Sequence, residues 1–488
     1  MRYYDAAVIG AGALGCAAAY TLSGYELSVC VIEKEADAAS GASGRNSAVS
    51  HAGFNSKRGS LAAHYCVRGN RGLESVCRRL NVPFIKTGKL VVAMDESDIA
   101  SLYGLVSGGE YNGVEGLSII TAEDAGRLVP GISCTAAMLS ENTAIFDPFL
   151  YTVALAEYAA VNGVEFYFES PVTGITNIKA ENNKINMFSI KAGNHTIRAR
   201  YIINAAGLFS SEILRMAGGA YYPIYPCRGE YHILDKNSRA KLDMPVYPVP
   251  KPGIGGLGVH LTPTTGGNII IGPSAEYIGD PEDYACTHEA MDNLIAEAKI
   301  LFPAVDSKDI IRSYSGIRSK LVPVSSGGFG DFIIGEDEKV RGMFNLIGIE
   351  SPGLTSSMPV AEDAAGKIVR KTGALKKSET VPRVLETPFN LLTEDEKYEK
   401  VRTNPLHGEI VCRCEKITKA EIIRAIENPL GVRTLAGIKY RTRAMTGRCQ
   451  GGYCLTRIAE ILINEYGMRP EEITNRGKGS ELLTGRTK

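Results

Sequence analysis

Residues 6–15 have the sequence Ala-Ala-Val-Ile-Gly-Ala-Gly-Ala-Leu-Gly, which predicts the type of N-terminal fold. It passes from a short apolar strand into the pattern G-x-G-x-x-G, and residues 13–23 have the composition of a helix. A second apolar strand follows at 27–32 and runs into Glu33. Strand, glycine-rich turn, helix and strand in this order predict a βαβ unit that holds a pyrophosphate at the helix N-terminus.

Each glycine of the pattern has its own physical role. Gly10 permits the tight turn, Gly12 lets the backbone approach the pyrophosphate, and Gly15 lets the helix pack closely on the sheet. Glu33 follows the second strand, where a carboxylate is expected to accept hydrogen bonds from the adenosine ribose. The motif predicts dinucleotide binding but does not by itself separate NAD from FAD.

Three later segments extend the predicted cofactor site. Residues 43–47 are rich in small and hydrogen-bonding side chains, and residues 204–207 end an apolar strand in Asn-Ala-Ala-Gly. Residues 348–355 join a late strand to a helix, whose N-terminus is suited to flavin oxygens or the ribityl chain. The predicted cofactor contacts in these segments are Ser43, Arg45, Asn46, Ser47, Gly207, Gly348, Gly353, Leu354 and Thr355.

Taken together, the motifs of residues 4–370 resemble the glycine-oxidase and D-amino-acid-oxidase-like superfamily of FAD oxidoreductases. Within it the chain is most similar to L-2-hydroxyglutarate dehydrogenases and, more distantly, to FAD-dependent glycerol-3-phosphate dehydrogenases. The resemblance implies that FAD is the cofactor. The stretches that carry it are 10–15, 43–53, Arg-Gly-Glu-Tyr at 228–231, Gly-Val-His-Leu-Thr-Pro at 258–263, 314–318 and 348–355.

Oxidation of an alcohol on a flavin requires a base for the hydroxyl proton and an anchor for an anionic tail. His51 and His260 are the candidate bases, because imidazole titrates in the right range. The resemblance implies that His51 lies against the flavin. In related dimethylglycine and sarcosine dehydrogenases this position resembles the covalent attachment point, but we expect no covalent bond here. A packing role is the alternative for either histidine.

Arg318 is the candidate anion clamp, because its planar guanidinium suits a carboxylate or a phosphate. A surface ion pair is the alternative interpretation. Arg228 and Tyr231 are further candidates for substrate binding, although a strand that carries Arg-Gly-Glu-Tyr is equally compatible with a structural role. In glycerol-3-phosphate dehydrogenases an arginine follows the flavin-proximal histidine by four residues. Here that position is Asn55, which resembles the hydroxyglutarate group instead.

Four cysteines cluster near the C-terminus as C-x-C and C-x4-C, separated by a long gap. Zinc modules favour C-x2-C pairs, so this spacing fits zinc poorly, whereas four thiolates suit a [2Fe–2S] cluster. The segment resembles the bacterioferritin-associated-ferredoxin-like [2Fe–2S] domain, which also closes the catalytic subunit of anaerobic glycerol-3-phosphate dehydrogenases. Zinc or a metal-free structural role is the alternative. The predicted ligands are Cys412, Cys414, Cys449 and Cys454.

Local signals around these cysteines predict a folded module. Thr418 and Glu421 form a capping box at the start of a helix, and Cys454 opens another helix. Both cysteine pairs are therefore expected near helix N-termini, whose dipoles favour a negative cluster. The basic run 439–443 is expected to add positive charge nearby.

The predicted fold class is α/β: a Rossmann-type FAD-binding domain with an interleaved antiparallel-sheet substrate domain, plus a small helical iron–sulfur module. Residues 376–405 are predicted to be a linker and residues 468–488 a loose tail. The predicted domains are 1–85, 144–220 and 325–375 for FAD, 86–143 and 221–324 for substrate, and 406–467 for the cluster.

The overall composition limits the classes of binding partner. Lys plus Arg and Asp plus Glu both count 54, so the formal charge is zero, which argues against a nucleic-acid partner. Neither a signal segment nor a membrane span is evident in the sequence, which predicts a cytoplasmic protein. The remaining cysteines are scattered singly, as expected of buried thiols rather than disulfides.

These features predict an FAD-dependent dehydrogenase that oxidises the CH–OH of a small anionic substrate and passes electrons to a [2Fe–2S] cluster. The preferred substrate is sn-glycerol 3-phosphate, giving dihydroxyacetone phosphate. A fused cluster also implies an electron-accepting protein subunit or a quinone system. The alternatives are an L-2-hydroxyglutarate or other 2-hydroxy-acid dehydrogenase, an amino-acid oxidoreductase, and a non-catalytic electron-transfer flavoprotein.

Overall fold

The computed structural model describes residues 2–179, 186–250, 258–383 and 386–485. The strands are, in chain order, β1 (Arg2–Ile9), β2 (Val29–Ile32), β3 (Val49–Ser50), β4 (Phe84–Ile85), β5 (Lys89–Ala93), β6 (Leu117–Thr121), β7 (Ala136–Ser140), β8 (Ala144–Phe146), β9 (Glu165–Tyr167), β10 (Val172–Lys179), β11 (Asn186–Ala192), β12 (His195–Asn204), β13 (Tyr225–Leu234), β14 (Val246–Pro248), β15 (His260–Pro263), β16 (Ile269–Gly272), β17 (Glu276–Tyr277), β18 (Ile310–Lys320), β19 (Ile333–Glu336), β20 (Met343–Ile347), β21 (Ile410–Cys412) and β22 (Ile417–Thr418).

The helices follow the same chain order. They are α1 (Ala13–Leu22), α2 (Leu61–Arg79), α3 (Ile99–Tyr111), α4 (Ala122–Leu128), α5 (Pro148–Val161), α6 (Ser210–Met216), α7 (His288–Leu301), α8 (Gly353–Thr372), α9 (Glu394–Thr403), α10 (Lys419–Ile426), α11 (Leu435–Thr442) and α12 (Cys454–Asn464).

A parallel sheet forms the centre of the nucleotide domain. Its strands lie in the order β20, β12, β1, β2 and β9, and each neighbouring pair is parallel. These strands are short and almost uniformly apolar because helices or further strands cover both faces. Along β1, Ala6 and Val8 pack with α1, α5 and α8, whereas Ala7 and Ile9 pack on the opposite face.

A second sheet builds the neighbouring domain. Its order is β17, β13, β16, β15, β14, β5, β7 and β6, with β18 on the other side of β13, and all but one of its pairings are antiparallel. Its strands come from two separate stretches of chain, before and after the middle of the nucleotide domain. Helix α7 packs against it through Leu294, Ala298 and Leu301. The predicted α/β class with an interleaved antiparallel sheet is confirmed.

The C-terminal module is a hairpin of β21 and β22 with α10, α11 and α12 around a small apolar core. The predicted capping box is present: the Thr418 hydroxyl accepts from the Glu421 amide, and the Glu421 carboxylate accepts from the Thr418 amide. Across the described ranges, none of the helices combines the length and the apolar character that a membrane crossing requires.

Two segments differ from their sequence-based expectation. The stretch predicted to be a linker contains α9, which starts at a capping box of Thr393 and Glu396. The described part of the segment predicted to be a loose tail, residues 468–485, is packed: Ile473 is buried, and the Leu435 amide donates to the Thr474 carbonyl. Hydrogen bonds of this kind come from the backbone and leave no apolar pattern in the sequence. The packing of this segment was therefore not predicted.

Candidate active site and cysteine module

The main cavity, of about 550 Å³, runs along the carboxyl edge of the parallel sheet and under the second sheet. Its volume lies within the range of pockets that hold a cofactor or a drug-sized ligand. Most of the residues selected from the sequence line it. They are Gly10, Gly12, Glu33, Ser43, Arg45, Asn46, Ser47, His51, Gly207, Tyr231, His260, Arg318, Gly353, Leu354 and Thr355.

The glycine turn forms one end of the cavity. Gly10 has φ of +101°, and a Cβ there would lie 2.5 Å from the Ala205 carbonyl oxygen. In the described contacts, the Gly12 and Leu14 amides at the start of α1 have no acceptor. Two unpaired N–H groups at a helix N-terminus that lines a cavity are suited to a pyrophosphate.

Glu33 lies beside this turn, with one carboxylate oxygen accepting from the Ala11 amide at 2.6 Å and the other from the Glu35 amide at 2.9 Å. Burial raises the pKa of this carboxyl group. The carboxylate lines the cavity and retains further lone pairs, so its position fits the predicted acceptance of ribose hydroxyls.

The segment 43–47 is held in place by its own side chains. Ser43 Oγ accepts from the Ala13 amide at 2.8 Å, which joins the segment to α1. Asn46 donates to the Ser43 carbonyl at 2.7 Å and accepts from the Ala48 amide. Arg45 donates to the Ser315 carbonyl and stacks on the Tyr284 ring at 4.0 Å. These side chains hold the segment in place and also line the cavity.

The second helix N-terminus at the cavity belongs to α8. Among the described contacts, the Leu354 and Thr355 amides have no acceptor. The Thr355 hydroxyl accepts from the His51 amide at 3.0 Å. The His51 loop is therefore tied to the same helix end that offers free N–H groups, which suits an anionic or carbonyl-bearing part of a cofactor.

His51 stands where the main cavity meets a second chamber and lines both. Burial of the ring, followed by the nearby Lys89 ammonium, lowers the pKa of His51 to about 3. The described contacts give the ring no hydrogen-bond partner, so a neutral imidazole with a free lone pair faces the cavity.

His260 is more tightly held. Its Nδ1 lies 3.1 Å from the Gly258 carbonyl and must donate to it, so the neutral ring accepts at Nε2 from Ser47 Oγ at 3.3 Å. The ring stacks on Tyr247 at 3.6 Å between centroids. Burial, with smaller contributions from the Lys89, His51 and Arg318 charges, lowers the pKa of His260 well below its usual value.

Arg318 lines the cavity without a carboxylate in salt-bridge contact among the described residues. Its Nη2 donates to the Ser274 carbonyl at 3.1 Å, and its Nη1 lies 3.6 Å from Cys227 Sγ. Tyr231 lines the same wall and stacks on Tyr314 at 4.7 Å. A guanidinium with unused donors at the cavity wall fits the predicted anion clamp.

Three predicted residues do not line the cavity. The prediction that Arg228 binds substrate is corrected, because its guanidinium forms ion pairs with Glu276 and Asp283, each at 2.6 Å. It also approaches Glu230 at 3.4 Å. It stabilises the second sheet instead of facing a substrate. Gly15 and Gly348 act through packing, since a Cβ at Gly15 would lie 1.9 Å from the Gly10 oxygen and one at Gly348 would lie 2.2 Å from Leu321 Cδ1.

Lys89 is a further charged residue of the site, and its position was not predicted from the sequence. It opens β5, is 3% exposed, and lines the second chamber of about 300 Å³ beside His51. The only sequence signal was a charged residue at the head of the apolar run Leu-Val-Val-Ala, which is also typical of an ordinary strand end at the surface.

The four module cysteines form two pairs. Cys414 Sγ lies 3.6 Å from Cys449 Sγ, and Cys412 is hydrogen-bonded to Cys454. Within the described residues the thiols do not form one group with metal-binding geometry. Each pair nevertheless combines one thiol from C-x-C with one from C-x4-C, as expected where two irons each take two thiolates. All four cysteines are free, so this donor set fits the predicted cluster.

The module is attached to the nucleotide domain by Arg441. Its guanidinium donates to Asp37 at 2.6 and 3.2 Å and to Glu157 at 2.6 Å. Tyr440 stacks on Phe149 at 4.5 Å beside it. The expectation that the whole basic run 439–443 adds charge near the cluster is therefore wrong for Arg441, whose charge is neutralised by two buried carboxylates.

The glycine turn, two helix N-termini at one elongated cavity and a four-cysteine module define a flavin enzyme with an iron–sulfur centre. The chain belongs to the FAD dependent oxidoreductase family, which it matches over residues 5–366, and residues 410–464 match the BFD-like [2Fe-2S] binding domain. It is accordingly an FAD-dependent oxidoreductase with a C-terminal [2Fe–2S] domain. Both predicted cofactors and the resemblance inferred from the motifs are confirmed.

The chain is similar to two kinds of dehydrogenase. The chain is 35% identical to glycerol 3-phosphate dehydrogenase of Caloramator mitchellensis, over 99% of each chain. It is 31% identical to the mitochondrial L-2-hydroxyglutarate dehydrogenase of Arabidopsis thaliana, over 75% of this chain and 83% of that protein. The first match includes the cysteine module.

Solved structures agree on the fold. The FAD-bound L-alpha-glycerophosphate oxidase of Mycoplasma pneumoniae superposes with a TM-score of 0.72 at 27% identity, covering 79% of this chain and 100% of that one. Glycine oxidase from Geobacillus kaustophilus superposes with a TM-score of 0.66 at 20% identity, covering 78% and 97%. The second likeness bears on the fold alone.

Proposed function

We propose that this protein is a dehydrogenase that oxidises sn-glycerol 3-phosphate to dihydroxyacetone phosphate and delivers the electrons to its own [2Fe–2S] cluster. The observation that carries the proposal is a neutral, unpartnered His51 ring in the same cavity as Arg318, which has no carboxylate partner among the described residues. The similarity to a glycerol 3-phosphate dehydrogenase over both domains supports the choice of substrate.

The proposed reaction removes a hydride from the carbinol carbon and a proton from its hydroxyl. FAD, when bound, supplies the hydride acceptor. A ring nitrogen of His51 takes the hydroxyl proton, because its lone pair is free, whereas the lone pair on His260 Nε2 already accepts from Ser47. His260 and Tyr247 then act as the wall that positions the substrate against the flavin.

Arg318 is proposed to bind the anionic substrate, using guanidinium donors that the protein leaves unpaired. Tyr231, stacked on Tyr314, shapes the same wall. A [2Fe–2S] cluster held by the four module cysteines would supply a one-electron acceptor in the same chain, as an alternative to dioxygen. We therefore propose a dehydrogenase that uses a protein subunit or quinone as final acceptor and works in the cytoplasm.

A second candidate function is L-2-hydroxyglutarate dehydrogenase. Asn55 favours it, because the arginine expected there in glycerol-3-phosphate dehydrogenases is missing, and the similarity to the Arabidopsis enzyme covers the catalytic domain. The ranges predicted for the FAD, substrate and cluster domains remain our proposed division of the chain.

The test is anaerobic reduction of the reconstituted holoenzyme. We expect glycerol 3-phosphate to bleach the flavin absorbance and to yield dihydroxyacetone phosphate, with no bleaching by L-2-hydroxyglutarate. Bleaching by L-2-hydroxyglutarate alone would replace the proposal with the second candidate. Bleaching by neither substrate would refute both, and rapid hydrogen peroxide formation in air would contradict the dehydrogenase assignment.

A further inference from the structure

The chamber beside His51 contains a buried cation without an anionic partner. The Lys89 side chain is almost completely enclosed, and no carboxylate of the described residues forms an ion pair with it. Its Nζ lies 3.5 Å from the centre of the Tyr247 ring and 5.0 Å from that of Phe54. Two aromatic faces return only part of the free energy lost when an ammonium group is removed from water.

The position of Lys89 relative to the main cavity suits a role in substrate binding. The chamber joins the main cavity at a shared boundary of five residues, His51, Tyr247, Phe329, Ser351 and Pro352. A substrate whose hydroxyl faces His51 therefore has space to extend its other end towards Lys89. The Tyr247 ring has His260 stacked on it and Lys89 over it, so the cation is fixed relative to both histidines.

The other charged groups of the chamber do not neutralise Lys89. Asp331 lines it, but its carboxylate oxygens accept from the Leu61 and Ala62 amides at the start of α2, at 2.9 and 3.0 Å. Lys57 also lines it and is exposed. The chamber therefore combines two cations with one carboxylate that is already hydrogen-bonded, which favours entry of an anion.

We propose that Lys89 is the anchor for the phosphate group of the substrate, in the chamber next to His51. The inference rests on the proposed function and supplies the phosphate partner that Asn55 does not provide. A charge-assisted hydrogen bond from a buried ammonium to a phosphate oxygen accounts for keeping a cation in an otherwise aromatic niche. Arg318 then binds the same substrate from the main cavity.

The electrostatics of the reacting residues support this assignment. Burial lowers the pKa of Lys89 to about 7, so an empty site holds the proton weakly. Burial is the main cause of the lowered pKa of His51 and the Lys89 charge is the second; a phosphate at Lys89 stabilises the lysine proton and offsets this second contribution. Binding of the anion thereby makes His51 a better base at the moment when a substrate is present.

The test uses the FAD-loaded holoenzyme with Lys89→Gln and Lys89→Arg, and with Lys86→Gln as the control for losing an exposed lysine of the same segment. We expect Lys89→Gln to weaken binding of inorganic phosphate, measured calorimetrically, by roughly 10- to 100-fold. Lys89→Arg should retain most of the affinity and Lys86→Gln all of it. Equal flavin content and melting temperature establish that the variants are folded.

A second measurement compares glycerol 3-phosphate with glycerol, which lacks the phosphate. We expect Lys89→Gln to raise KM for glycerol 3-phosphate by a much larger factor than KM for glycerol, which has no phosphate to bind. Unchanged phosphate affinity in Lys89→Gln, or loss of affinity in Lys57→Gln instead, would overturn the assignment, as would a wild-type protein that binds no phosphate. Because calorimetry needs no turnover, these outcomes are distinguishable from failure of the proposed reaction.

Discussion

Arg441 of the cysteine module donates two hydrogen bonds, of 2.6 and 3.2 Å, to Asp37 of the nucleotide domain. Both side chains are only 4% exposed, and Glu157 completes the cluster on the other side of the guanidinium. The cluster domain is thus held against the flavin domain by a buried, oriented ion pair and not by a free tether.

We expect Arg441→Ala to lower the free energy of unfolding by about 3 kcal/mol, because it leaves the buried Asp37 carboxylate without its cation, whereas Glu157 keeps its ion pair with Arg383. The measurement is denaturant unfolding followed by flavin fluorescence and circular dichroism. Arg441→Lys keeps the charge without the planar fork and should lose less. An exposed arginine, Arg402→Ala, is the control, and its surface pair with Glu399 predicts a change near zero.

Each of the variants Cys412→Ser, Cys414→Ser, Cys449→Ser and Cys454→Ser should lose the visible absorbance and the reduced-state EPR signal of the cluster. Flavin content should persist, because the module has its own core. Iron and sulfide analysis checks the result, with the exposed Cys286→Ser as control. A full [2Fe–2S] content in any of the four variants would remove that cysteine from the ligand set.

Gly15→Ala should reduce FAD retention, because its Cβ would lie 1.9 Å from the Gly10 backbone oxygen, which cannot move without opening the turn. Gly72→Ala is the matched control, since a Cβ in the middle of α2 there meets nothing within 4 Å. The flavin-to-protein absorbance ratio after gel filtration measures the difference. Equal retention in both variants would contradict the role given to the glycine turn.

The pH dependence should follow Lys89. Its pKa is lowered to about 7, and binding of an anion needs the protonated form, so kcat/KM should fall as the pH rises through this value. His51, with a pKa lowered to about 3, stays neutral over the working range and contributes no acidic limb there. Lys89→Arg remains protonated and should shift the alkaline limb upwards. An unchanged limb in that variant would assign the titration to another group.

Much of this architecture follows from local sequence signals. The glycine pattern at 10–15, the capping box of Thr418 and Glu421, and the spacing of the four cysteines are each contained in a few consecutive residues or a fixed gap. The cavity gathers His51, which follows β3, His260, which opens β15, and Arg318, which lies near the end of β18.

What the sequence did not predict depends on contacts between distant segments. The sequence suggested substrate binding for Arg228 and charge near the cluster for Arg441, and only the fold brings Glu276 to the first and Asp37 to the second. Lys89 was missed for the opposite reason, because nothing in its own segment indicates that Tyr247, more than one hundred and fifty residues later, covers it.

We propose that electrons from the substrate cross from the flavin to the cluster within one chain. Anaerobic rapid mixing of the holoenzyme with glycerol 3-phosphate tests it, with the flavin and cluster absorbances followed together and the cluster signal confirmed by EPR of frozen samples. We predict flavin bleaching first, followed by cluster reduction at a rate independent of protein concentration. Flavin bleaching with a cluster that stays oxidised, or cluster reduction whose rate grows with protein concentration, would contradict the account.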